Sequence, residues 1–421
     1  MNVDSLPTSL LAPFPPENLG SDVASFATDR TQWYTWWLSE QLKTLPVAVL
    51  SVVVGQEPEP EGVWSPQLTQ VFVEIARSTK SSESPSIHKL VEHITTLGLV
   101  TLVAGREDSL KAQSLVFAML GWQTMLYRPA LGICPPQQLA VTDEQDGYRG
   151  QAFITLKQTQ MAAKRPLYEF LMGFGILLPP PNLCTAANNE AKGSFEEVAR
   201  VEPSMFNMFL LESIGHIKIT WVDVLSCHLE FDEQAGTVFL FRYPSFCLLN
   251  RSADEAEKST RGVIHAAASP PSSSRQWASE EDVTKMLNET LLSYRLLFGQ
   301  CKRSRKLFRA IDPFARVPKQ SQDTSLEWLC GRKSLSPAMS LDEKDSYDLE
   351  QDFPILRSRI ANLQRRLSTC KPRTWRELWQ DKRNSAGWYT FWTVLIFGGL
   401  SLVLSFLQVV LQLVAIVLQP H

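Results

Sequence analysis

The densest group of chemistry-capable side chains in the sequence is Cys227, His228, Glu230 and Asp232, a thiol, an imidazole and two carboxylates within one short stretch. These are the residue types that bind metals or move protons. On an extended strand, alternate side chains face opposite ways, so Cys227 stands apart from the other three, which read as the wet face of a hairpin. His88 and His93 are five residues apart, about 140° around a helix, and cannot grip one metal from one face. Glu169, Glu212 and Asp223 lie in apolar stretches and are expected either to pair with a nearby arginine or to titrate high. The run Lys302, Arg303, Arg305, Lys306 and Arg309 suits a solvated helix end, with a targeting signal or an anionic-lipid patch as alternatives.

The patterns that carry well-defined chemistry are missing: the sequence has no G-x-x-x-x-G-K-[ST], G-x-G-x-x-G, G-x-S-x-G or H-E-x-x-H. No catalytic, cofactor or metal residues are therefore assigned. A membrane-tethered enzyme without a recognised motif stays as the alternative to an interaction module. With a net charge of −3, the 421-residue chain is not a bulk nucleic-acid binder, which would be strongly basic. Seven scattered cysteines, never spaced C-x-x-C, fit a reducing compartment better than a disulfide framework. Prolines interrupt the first twenty residues where a secretory signal would need a continuous apolar run, so synthesis in the cytosol is expected.

The elements that must position these residues read as mainly α-helical with one β-hairpin at about 226–243. Residues 1–29 are Pro-rich and polar, an extended or disordered arm. Residues 30–249 form a mostly helical core, with helical patterns near 33–54, 65–79, 85–103 and 107–127, and a segment at 206–224 that suits either a helix or a strand. Residues 250–280 are Ser-, Ala- and Pro-rich and read as a mobile loop. Residues 281–369 continue the core with helices near 281–310 and 352–369. Phe353, Leu356, Ile360, Leu363 and Leu367 follow a 3-4 rhythm that suits a helix packed on its own domain, or a short coiled coil.

The strongest signal comes last. From Trp388 to Leu418 no residue is charged, whereas about 20 apolar residues suffice to cross a bilayer, so 387–418 reads as a transmembrane helix. Fourteen Leu, Ile, Phe and Val side chains within Phe391–Leu411 sum to about −6 kcal/mol of insertion energy, before the polar residues of the stretch are subtracted. Residues 370–386 are a basic interfacial segment, in which Trp375 and Trp379 would lie in the interface and Lys382 and Arg383 would meet lipid phosphates. Trp388, Tyr389 and Trp392 would form an aromatic belt. Nine Lys or Arg between 357 and 383, against Glu377 and Asp381, favour a cytosolic N-terminal domain by the positive-inside rule. The expectation is thus a tail-anchored, single-pass protein of the endomembrane system or plasma membrane rather than of mitochondria. Its partners would be membrane lipid, an unknown protein and no nucleic acid. Gly398, Ser401, Ser405, Gln408 and Gln412 recur three and four apart, a face suited to homo-oligomer contact within the membrane. A glycan at Asn250-Arg251-Ser252 or Asn288-Glu289-Thr290 would instead put the domain in the lumen.

Taken together, WVDVLSCHLEFD at 221–232, FRYPSFC at 241–247, LLSYRLLFGQ at 291–300 and WYTFWTVLIFGGL at 388–400 resemble blocks of a family of C-terminally membrane-anchored proteins of filamentous ascomycete fungi. GWQTMLYRP at 121–129 and DFPILRSRI at 352–360 are similar to further blocks. The resemblance implies a fungal source and a cytosolic domain on an anchor, and it brings no activity or site residue.

Overall fold

The computed structural model describes residues 8–15, 24–55, 62–103, 105–131, 135, 137–142, 156–174, 199–251, 261–270, 278–334, 341–370 and 385–417. Thirteen helices run through these residues: α1 Ala24–Lys43, α2 Val47–Leu50, α3 Pro66–Ser81, α4 Ile87–Thr96, α5 Arg106–Thr124, α6 Leu167–Met172, α7 Met208–Ser213, α8 Pro244–Asn250, α9 Glu280–Tyr294, α10 Lys302–Ala310, α11 Thr324–Gly331, α12 Arg357–Thr369 and α13 Ser385–Val417. The described strands are short and form three small sheets: β1 Gln138–Ala140 with β2 Lys157–Thr159, β3 Arg200–Val201 with β7 Tyr347–Asp348, and a three-stranded sheet of β4 Lys218–Val222, β5 Phe231–Asp232 and β6 Thr237–Phe241. The chain is mainly α-helical.

Local chemistry explains where many helices begin. An N-terminus leaves backbone N–H groups without partners, and Ser, Asn or Asp just before it can accept from them. Ser65 accepts from Leu68 N at 3.1 Å ahead of Pro66, Ser86 from Lys89 N at 3.2 Å, and Asn207 from Leu210 N at 3.2 Å. Ser279 and Asp282 close a reciprocal capping box on α9.

The expected hairpin is present but narrower. β5 and β6 pair antiparallel over Phe231–Val238 and Asp232–Thr237, and β4 adds to the other side of β6 in parallel, giving the order β4-β6-β5. The ambiguous segment at 206–224 thus supplies both a helix, α7, and a strand, β4. Upstream, the pattern at 226–230 is not a strand. Residues Leu225–Cys227 form a 3-10 turn and Leu229 takes a left-handed φ of 63°.

One hydrophobic cluster joins the N-terminal helices to the C-terminal ones. Its aromatic centre stacks Trp33 on Tyr243 at 4.5 Å, with Phe14 edge-on to Tyr34 at 4.9 Å and to Phe246 at 5.8 Å. Phe14 and Leu10 belong to the stretch expected as an arm. Both are buried because apolar residues at 10, 11, 12 and 14 offset the cost of ordering the chain. Residues 262–269, inside the expected mobile loop, likewise form a buried 3-10 turn at Val263–Ala267, with Val263 N–H donating to Pro13 O at 2.9 Å. Phe353, Leu356, Ile360, Leu363 and Leu367 are all buried, so the 3-4 stripe packs on its own domain.

Candidate functional site

None of the four residues of the dense polar group faces water as a set. His228 is fully buried. The 3-10 turn before it and the left-handed Leu229 after it break the strand alternation, which turns the imidazole inward instead of onto a wet face. Glu230 pairs with Arg359 of α12 at 2.6 Å, and Arg359 also donates to the carbonyl of His228. Asp232 accepts from Gln234 N and Ala235 N at 2.8 and 3.0 Å, shaping the hairpin turn. Cys227 is buried in the core.

His228 lies 2.7 Å from Ser293 Oγ, a pairing that superficially suggests a base and a nucleophile. The hydrogen bonds run the wrong way. Nδ1 accepts the Phe241 N–H at 3.2 Å, so the imidazole proton sits on Nε2 and is donated to Ser293, whose own hydroxyl proton goes to Thr290 O at 2.7 Å. A general base at this position would have to accept from the serine instead. The arrangement is a buried polar tie between the sheet and α9.

Two further ties leave α9. Leu356, the N-cap of α12, offers no side-chain cap, and Glu289 takes that role from another helix, accepting from Ile355 N at 3.0 Å and Leu356 N at 2.7 Å. Tyr294 donates its hydroxyl to Phe241 O.

Burial, opposed by those two N–H groups, pushes the Glu289 carboxyl up to about 8. Burial, helped by the Arg359 charge, lowers His228 to about 3, and burial lowers His265 to about 4. The two histidines resist protonation when folded, so the stability they contribute is lost as pH falls below 6.5, their value in an open chain. Glu289 works in reverse: its stability is complete below 4.5 and is lost as pH rises through about 8. Each group changes stability by up to about 1.4 kcal/mol per pH unit within its window. Denaturant titration across pH should therefore give a stability maximum near 6.5 with declines on both sides. Glu289→Gln should flatten the alkaline decline and steepen the acidic one between 4.5 and 6.5, where Glu289 opposes the histidines, and an unchanged alkaline limb in that variant would contradict the assignment.

The other sequence-selected groups are dispersed. Asp223 pairs with Arg242 and accepts from Trp37 Nε1 at 3.1 Å. Glu169 accepts from Tyr168 at 3.1 Å and pairs with no arginine among the described residues. Glu212 is exposed and unpaired with any arginine among the described residues, and partial burial raises its pKa. His88 lies 3.3 Å from Glu92, and His93 lies 3.9 Å from Glu74. Among the described residues no three His, Cys, Asp or Glu converge as metal ligands, and the described cysteines form no disulfide with one another.

α13 is the second candidate. Its stretch Tyr389–Val414 holds 26 residues, the most apolar 18 of which have a mean hydropathy of 2.4 and are not buried against the rest of the chain. One C-terminal helix is therefore long and apolar enough to span a membrane. Gly398, Ser401, Ser405, Gln408 and Gln412 are exposed on it, and at 100° per residue they fall within an arc of roughly 80°. A side chain at Gly398 would meet nothing within 4 Å. Tyr389 is exposed and Trp392 half-buried, one turn apart, while Trp388 belongs to the same helix. Trp375, Trp379, Lys382 and Arg383 lie outside the described residues.

Sequence reasoning missed Glu289, Ser293 and Arg359. The apolar rhythm of α9 and α12 gave no sign that these polar members point inward. The chain matches no family model, no curated protein and no solved structure.

Proposed function

We propose that the chain is a single-pass membrane protein whose helical domain faces the cytosol and acts as an interaction or scaffold module at the membrane surface. The observation that carries the reading is α13: an apolar helix of this length, none of whose most apolar part is buried, leaves a large hydrophobic surface in water unless lipid or another apolar partner covers it. The basic residues ahead of it support the orientation, because Lys and Arg are retained on the cytosolic side. The proposed address is the endomembrane system or plasma membrane. Within the bilayer, the face carrying Gly398, Ser401, Ser405, Gln408 and Gln412 would allow helices of several copies to approach closely.

The domain supports a scaffold rather than a reaction centre. The buried polar groups traced above are spent on internal ties, Glu289 on the backbone N–H groups at the start of α12 and His228 on the Phe241 N–H and the Ser293 hydroxyl.

The absence of native glycans would not report the topology, because both sequons are partly or wholly buried in the folded domain. Asn250 is buried with its amide donating to Phe246 O at 2.9 Å, and Thr290 of the second sequon is buried as well. Protease protection is the better test. In sealed vesicles with the cytosolic face outward, added protease should digest the domain without detergent and leave a fragment the size of α13. Protection of the domain would reverse the orientation. Proximity labelling from the N-terminus, with and without residues 387–421, would identify neighbours, and a neighbour set unchanged by the truncation would count against a membrane-bound scaffold.

A further inference from the structure

The nine residues of α10 carry five cations, Lys302, Arg303, Arg305, Lys306 and Arg309, and no acid. Among the described residues none of the five forms an ion pair. Lys302, Arg303, Lys306 and Arg309 are exposed, whereas Ser304 and Phe308 are buried. At 100° per residue the four exposed cations cover an arc of roughly 120°, opposite the buried pair. This one-sided display has an electrostatic cost. Three of the five cations occupy the first turn, where the helix dipole is positive and acidic residues are favoured. Among the described residues no carboxylate neutralises them: Arg305 and Arg309 donate to the carbonyls of Gly299 and Gly331, and Arg303 lies over the Phe209 ring at 5.2 Å, contacts that leave the net charge in place. Four like charges left facing outward call for an anion from outside.

The position of this face suggests the anion. Ser304 Oγ accepts from Phe209 N and donates to Asn207 Oδ1, both at 3.1 Å, so α10 abuts the start of α7. Beyond the other end of α7, Gly215 O receives the Cys370 thiol at 3.9 Å, and Cys370 is the last described residue of the domain before α13. α7, six residues and about 9 Å long, therefore separates the buried side of α10 from the last described residue before the anchor, with the basic face on the far side of α10. Residues 371–384 can reach at most about 50 Å when fully extended. Tethered within that reach of a bilayer, the basic face would meet its headgroups at a raised local concentration.

We infer that the outward face of α10 is a second membrane contact, an electrostatic docking surface for anionic lipid headgroups. It rests on the reading of α13 as the anchor. Lys302, Arg303, Lys306 and Arg309 take the phosphates and carboxylates of the leaflet as counter-ions and press this side of the domain onto the surface. Each contributes about fivefold to partitioning, or several hundredfold for the four, and the effect fades within about 8 Å of the surface at physiological salt.

The test uses the full chain in vesicles, with a photo-crosslinking amino acid replacing the exposed Ala310 at the end of the same face. Lipid adducts are compared between vesicles of pure phosphatidylcholine and vesicles with roughly 20–30% phosphatidylserine, on the order of a natural cytosolic leaflet. Adducts should appear with the anionic lipid, fall about tenfold or more in high salt, and fall likewise in Lys302→Gln/Arg303→Gln/Lys306→Gln/Arg309→Gln. The milder Lys302→Gln/Lys306→Gln, which alters no named contact, should lower them severalfold with unchanged thermal unfolding. Adducts that ignore lipid charge, or an RNA or acidic polypeptide added with the vesicles taking the crosslink instead, would overturn the proposal. Alkaline extraction of the same vesicles separates the two readings. Protein that is washed off refutes the anchor, while protein that stays without anionic-lipid adducts refutes only the docking surface.

Discussion

Leu402→Asp together with Phe406→Asp should move the protein from the alkali-resistant membrane pellet to the soluble fraction. Both residues lie near the middle of Tyr389–Val414 and both are exposed. The apolar side chains of the span contribute about −6 kcal/mol on the insertion scale, and each central Asp costs roughly 2.5–3.5 kcal/mol in addition to the apolar residue it replaces. Two such changes add about 6–8 kcal/mol, which cancels the driving force, so half or more of the protein should appear in the carbonate supernatant. Leu402→Ile with Phe406→Leu keeps the hydropathy and should stay in the pellet. If the doubly acidic variant resists extraction as well as the parent, α13 is held by something other than hydrocarbon, and the membrane reading fails with it.

The same helix shows what the sequence could convey by itself. A long run without charge needs no partner elsewhere in the chain to declare its preference, so α13 was legible from residues 388–418 alone. Helix starts were legible for a similar reason: Ser65 with Pro66, Ser86, and Ser279 with Asp282 act on backbone only a few residues away. One stop was also written locally. The helix expected to reach residue 103 ends at Thr96, and Gly98 just beyond it takes a φ of 68°, which glycine adopts without steric cost.

Ties between distant parts of the chain were not legible. The pattern that suggested one helix over 281–310 is interrupted by a π-helical turn at Arg295–Gly299, from which the Arg295 side chain crosses to residues 328–343. His228 was misplaced for the same kind of reason. Its partners are the Phe241 N–H and the Ser293 hydroxyl, and a backbone amide leaves no mark on the sequence. The apolar stretches at 8–15 and 262–269 were obscured by the prolines, serines and alanines around them, which lowered the average while Phe14 and Val263 still found the core.

Arg295 should be among the residues whose loss most destabilises the domain. Its side chain is fully buried, and its guanidinium donates to Leu329 O, Arg332 O and Lys333 O, each at 2.8 Å, and to the half-exposed Glu343 carboxylate. Those carbonyls belong to the end of α11, where the last turn has no intrahelical donors left. A cation there also meets the negative end of the helix dipole. The π-helical turn makes the placement possible. A side chain at Gly299 would collide with the guanidinium, so only glycine lets Arg295 lie back across its own turn. Arg295→Met fills much of the volume but leaves the buried Leu329 carbonyl, two partly buried carbonyls and one carboxylate without this donor, which should cost about 3 kcal/mol. Arg295→Lys keeps the charge but cannot fork among separated acceptors, and should recover only part of that loss. Gly299→Ala should approach the Arg295→Met variant, because the added methyl displaces the same guanidinium. Denaturant unfolding of the three variants in detergent should rank Arg295→Lys above Arg295→Met, with Gly299→Ala close to the latter. Equal stability of Arg295→Met and the parent would mean that α11 ends without this donor and that the buried charge does not hold the C-terminal helices together.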